Sequence, residues 1–128
     1  MTRLSISDNE HRVIAHAIGW RLHGPFGRTS PSVLSEEDRQ ALRILFNELC
    51  AQRTVCDFSE APLLIEIGDR YRCENGRMQL SVTDFDLVKD AVASFLAELQ
   101  HSPIELEVVA GAPASVTSDL LSRMQAMP

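Results

Sequence analysis

The sequence predicts an α+β fold: a single compact domain in the order helix, helix, hairpin, helix, strand, helix, with a small antiparallel sheet. Three observations carry that prediction. Two capped stripes of helical period open the chain, one from Ser7 to His23 and one from Ser35 through Leu49. After Phe58 the period shortens to two, around an Asn75-Gly76 dipeptide. At 128 residues, 45% apolar and 23% charged, the chain has the size and make-up of one globular domain, 1–128. Residues 125–128 are expected to fray.

Each element has its own warrant. Ser7-Asp8-Asn9-Glu10 supplies a capping hydroxyl and acids for a first turn. Val13, Ile14, Ala17, Ile18 and Trp20 then share a broad face, with Arg12, His16, Gly19 and His23 on the other. Gly24-Pro25-Phe26-Gly27 stops this helix, and a loop runs on through Arg28 to Pro31. Ser35-Glu36-Glu37-Asp38 opens the second, whose Leu42, Leu45, Phe46 and Leu49 follow the i, i+3, i+4, i+7 pattern. Pro62 to Ile67 reads as a strand. A turn at Asn75-Gly76 pairs Cys73 with Met78 and Tyr71 with Leu80. Gly68 marks a bulge or a break.

Thr83 is the expected cap of a third helix ending near Gln100. Phe85, Val88, Val92, Phe95, Leu96 and Leu99 form its buried stripe, while Asp84, Asp86, Asp90 and Ala93 face away. Ile104-Glu-Leu-Glu-Val-Val109 alternates as a half-buried strand, which would set Glu105 and Glu107 opposite Arg70 and Arg72. Gly111-Ala-Pro113 turns the chain into a last helix with Leu120, Leu121 and Met124 inward.

Charge narrows the partners. The net charge is −6. Residues 1–53 set seven arginines against Asp8, Glu10, Glu36, Glu37, Asp38 and Glu48. Residues 81–122 set Asp84, Asp86, Asp90, Glu98, Glu105, Glu107 and Asp119 against Lys89 alone. Such a field repels phosphates and attracts a basic protein, so nucleic acid is not the expected partner. A helix-turn-helix over residues 8–53 is also excluded, because the connection far exceeds the three or four residues of that turn. No apolar run reaches a membrane span, and MTRLSISDNEHR lacks the apolar stretch of a secretory signal. Cys50, Cys56 and Cys73 are odd in number and lack CxxC spacing. Reduced thiols in the cytoplasm are therefore expected, with no metal site and no cofactor. Eleven arginines to one lysine is the usage of a GC-rich, bacterial coding sequence.

Candidate chemistry is sparse. Asp84 and Asp86, with Leu87 and Val88, resemble the motif of haloacid-dehalogenase phosphatases, which implies a nucleophilic first aspartate and an acid/base second one. That family also needs a downstream lysine and an acidic pair for magnesium. Here no lysine follows Lys89 and Asp119 stands alone, so the letters read better as a helix start. His16 and His23 share a side of the first helix without a carboxylate beside them. Cys56 is the thiol expected to react, with Cys50 and Cys73 as small buried hydrophobes, and His11 and His101 are expected at the surface. A small hydrolase would centre on His16, His23 or Cys56.

In size, charge and layout the chain resembles the small acidic α+β proteins that serve as immunity partners of bacterial toxins. That resemblance implies a non-enzymatic inhibitor that binds a toxin's basic, nuclease-like domain. The expected binding residues are Asp84, Asp86, Asp90, Glu98, Glu105 and Glu107. A secretion chaperone or adaptor would share the acidic surface, and a self-associating housekeeping protein would bury an apolar patch against a second copy.

Overall fold

The computed structural model describes residues 3–23, 34–99 and 101–127. The elements are β1 (Arg3–Ile6), α1 (Asp8–His23), α2 (Glu36–Val55), β2 (Leu63–Ile67), β3 (Arg72–Glu74), β4 (Arg77–Leu80), α3 (Val82–Leu99), α4 (Pro103–Ala110) and α5 (Ala114–Gln125). The class is therefore mixed helix and strand, as expected. The turn expected at Gly24–Gly27 and the loop from Arg28 to Pro31 lie outside the described residues.

The caps explain where α1 and α2 begin. Ser7 Oγ accepts the Glu10 N–H at 3.2 Å while Ser7 N–H donates to Glu10 Oε1 at 3.0 Å, a reciprocal capping box. Ser35 Oγ accepts the Asp38 N–H at 3.1 Å. From these starts α1 buries Val13, Ile14, Ala17 and Ile18 completely, and α2 buries Leu42, Leu45 and Leu49.

The sheet corrects the expectation of an antiparallel hairpin sheet. Its order is β1-β2-β4-β3, with β2 and β4 parallel and the other two pairs antiparallel. The Asn75-Gly76 turn does set Cys73 opposite Met78, but the ladder stops at Arg72 and Gln79 and does not reach Tyr71. Gly76 alone takes a left-handed φ of 78° there, where a residue with a Cβ would be strained. Because β4 lies between β2 and β3, the chain must cross the sheet end after Ile67. The crossing brings Gly68 so near Gln79 that a Cβ would sit 2.4 Å from its Cδ.

Two further strand assignments change. Arg3–Ile6, unassigned by the sequence, pairs with β2 as an edge strand. Ile104–Val109, expected as a strand, is helical. Pro103 pre-sets the first turn of α4 and Gly111 closes it with a left-handed φ of 70°. Glu105 and Glu107 therefore meet no sheet arginines. Instead Glu66 takes Arg77 at 2.6 Å and Arg3 at 3.9 Å, and Glu74 takes Arg72 at 3.4 Å.

One sheet face carries Leu4, Ile6, Leu63, Ile65, Met78 and Leu80, and it packs under the helices. The joint between α2 and the β3–β4 turn is polar. Gln52, 2% exposed, uses its whole amide there: Nε2 donates to Glu74 O at 2.6 Å and Glu48 Oε2 at 3.0 Å, and Oε1 accepts the Gly76 N–H at 2.7 Å. Gln52→Leu keeps the volume but orphans those turn groups. It should cost about 2 kcal/mol, read as a lower urea midpoint at unchanged slope. An unchanged midpoint would show that the clamp contributes nothing.

Candidate functional site

The acids of α3 point outward because its apolar stripe is committed inward. Phe85, Val88, Ala91, Val92, Phe95 and Leu99 are all buried. The cap is Ser81 and not Thr83: Ser81 Oγ accepts the Asp84 N–H at 3.1 Å and Ser81 O accepts the Phe85 N–H at 2.9 Å. Either hydroxyl could cap, and the one nearer the end of β4 takes the role. Asp84 thus lies half-buried in the first turn, and Asp86 two residues deeper than expected, both within a helix. A dehalogenase aspartate would stand on a loop beyond a strand, so the phosphatase reading loses its structural context. Among the described residues no group of three His, Cys, Asp or Glu could hold a metal ion.

The six expected binding residues do not form one continuous face. Asp86 and Asp90 are exposed one turn apart, and with Arg21, Leu34, Asp38, Thr83 and Leu87 they line an open groove of about 390 Å³. Asp90 holds Arg21 at 3.3 Å, and Arg21 is nearly buried. Asp86 holds Lys89 at 3.5 Å. Glu105 and Glu107 are exposed on α4, past the far end of α3, which rises roughly 13 Å between Asp90 and Leu99. Glu107 Oε2 also accepts the Ala114 N–H at 2.9 Å and so tethers α5. Glu98 lies between the two patches, half-buried, with Oε2 out of solvent and without a hydrogen bond. The exposed carboxylates among the six are thus two patches, Asp86/Asp90 and Glu105/Glu107.

Sequence reasoning missed the apolar centre of the second patch. On α4, Ile104 is 78% and Val108 is 76% exposed, while Leu106 and Ala110 point inward. The alternation that suggested a strand hid this, because a strand would have set Ile104, Leu106 and Val108 on one buried face.

The histidines and thiols are not gathered into a catalytic group. His11, expected at the surface, is 2% exposed. Its partners fix the tautomer: Nε2–H donates to Leu49 O at 2.8 Å, and Nδ1 accepts from the Arg53 guanidinium at 3.0 Å. Arg53 is held in turn by Asp8 at 2.7 Å, and Phe58 lies 4.9 Å from the imidazole, centroid to centroid. His16 Nδ1–H donates to Ala110 O at 2.8 Å, closing the end of α4. His23 ends α1, roughly 18 Å along the axis from His11. Cys56 is half-buried beside Gln52, at the His11 end of α1. Cys50, expected inside, is the exposed thiol, because it sits past the edge of the buried stripe of α2. Burial raises the pKa of Cys73 above that of a free thiol, which disfavours a thiolate there.

Burial lowers the pKa of His11 below 6.5, and the neighbouring Arg53 and His16 act in the same direction against Leu49 O and Asp8. A second proton on Nδ1 would face the guanidinium. The unfolded chain therefore binds more protons than the folded one as pH falls below 6.5. The stability held at neutral pH should fall from there until the lowered folded value is passed. Urea midpoints of the wild type should drop between about pH 7 and 5, and His11→Gln should flatten that slope. Equal slopes in the two proteins would contradict the neutral, trapped imidazole.

The chain matches no family model, and neither the curated proteins nor the solved structures gave a match. What it does must be argued from its own surface.

Proposed function

We propose that this chain is a protein-binding module without catalytic chemistry, an immunity-type inhibitor that binds a basic, nuclease-like toxin domain in the cytoplasm. The observation that supports it is the outward display of acids on α3 and α4. The 81–122 segment sets seven acids against Lys89 alone, and four of the six candidate carboxylates stand exposed. A field of this sign speeds encounter with a cationic partner and rejects like-charged ones. Of the rival hydrolase residues, His16 is spent on Ala110 O, while His23 and Cys56 sit towards opposite ends of α1. No helix of the described residues is long and apolar enough to cross a membrane.

Reversing Asp90 would set a lysine against the nearly buried Arg21, so Asp86 is the cleaner position to change. A basic C-terminal domain of a multidomain effector encoded beside this gene should arrest growth when expressed alone and be neutralised by co-expression of the chain. Asp86→Lys should slow association by about an order of magnitude at low salt with folding intact. Growth arrest that persists with the chain present would sink the inhibitor reading. A bound partner that stays active would point to a chaperone or adaptor. An association rate unchanged by Asp86→Lys would remove α3 from the interface.

A further inference from the structure

We propose that α4 is the docking element: Ile104 and Val108, bounded by Glu105 and Glu107, seat against a basic protein surface that carries an aliphatic strip at its centre. The proposal rests on the protein-binding reading and names the part of the surface that does the binding.

Four features of α4 point the same way. First, Ile104 and Val108 are the two most exposed large aliphatics among the described residues, at 78% and 76%, and they lie one turn apart. Isolated exposed aliphatics are ordinary, but two on successive turns of a short helix make a ridge. Second, the ridge does nothing for the helix that carries it. Leu106 and Ala110 supply the inward contacts, and β-branched residues at solvent positions are weaker helix formers than the lysine or glutamate that would serve there. Third, the acids flank it. At about 100° per residue, Glu105 falls to one side of the Ile104–Val108 line and Glu107 to the other. An apolar centre with a charged rim is the arrangement of a binding patch, and this rim has one sign.

Fourth, α4 is held in place from both ends. Pro103 fixes its first turn, Gly111 closes it, His16 donates to Ala110 O at 2.8 Å, and Glu107 fastens the start of α5 at 2.9 Å. A patch fixed before binding loses less freedom when it docks. The rim also decides between occupants. In a two-fold dimer through α4, the glutamates of one copy would face those of the other, which like charge opposes. A basic surface meets no such penalty.

The test uses the whole chain, labelled with ¹⁵N, and a synthetic amphipathic helix of leucine and lysine as the probe. Shift changes should centre on residues 103–110. Ile104→Ser/Val108→Ser should weaken binding about tenfold or more. Because serine is close to isoleucine and valine in helix propensity, the double variant should unfold at the wild-type urea midpoint. Shift changes confined to Asp86 and Asp90, with the double variant binding like the wild type, would overturn the α4 assignment and leave the acidic-surface reading standing. No shift change at millimolar probe would overturn both. Should the wild type sediment as a dimer that the double variant breaks, a second copy covers the ridge and the basic partner is wrong.

Discussion

Everything in this structure is organised around α1, which buries the centre of its apolar face completely and sends polar side chains to α2, α3, α4 and α5. Val13, Ile14, Ala17 and Ile18 have no exposed surface. Around them, Asp8 and His11 engage α2 through Arg53 and Leu49 O, and Glu10 engages Arg123 of α5. His16 meets the last turn of α4, and Arg21 meets Asp90 of α3. Hydrophobic burial supplies the drive, and the polar ties fix the rotation of each surrounding helix about its own axis.

That fixed rotation is what links the core to the surface. With Phe85, Val88, Val92 and Phe95 turned toward α1, Asp86 and Asp90 have no inward position to take. With Leu106 and Ala110 turned the same way, Ile104 and Val108 are forced out between two glutamates. The cations are distributed differently. Arg3, Arg72 and Arg77 lie over the sheet and pair with Glu66 and Glu74, while Arg21 and Lys89 pair with Asp90 and Asp86 on α3. A charge asymmetry visible in the linear sequence becomes an asymmetry of surfaces.

Capping and period made the longer helices legible: Ser7 and Ser35 mark their starts, and the stripes of α1, α2, α3 and α5 are regular. The rest hid for specific reasons. Ile104–Val109 alternates apolar and acidic letters, and only Pro103 before it and Gly111 after it argue for a helix. β1 has four residues, too few to show a period, and its partner lies some sixty positions away. The Asn75-Gly76 turn specifies β3 against β4, but no local signal says that β4 will insert beside β2. His11 was traceable, since it falls three residues before Ile14 and seven before Ile18 on the same stripe. Gln52 follows Leu49 in the same way. Both are polar letters on an apolar stripe, and a buried polar group with its bonds satisfied belongs in a core. Of the site, the two aspartates on α3 and the two glutamates on α4 were legible as exposed acids. The ridge between the glutamates needed the helix.

On the proposed reading the α3–α4 surface, and not the α1–α2 groove or the open sheet face, receives the partner. Hydrogen exchange of the whole chain, alone and mixed with the basic domain proposed as its partner, separates these surfaces. Exchange should slow in Pro103–Ala110 and the first half of α3. Slowing confined to the groove of about 460 Å³ around Phe46 and Cys50, or to β2 and β4, would contradict it.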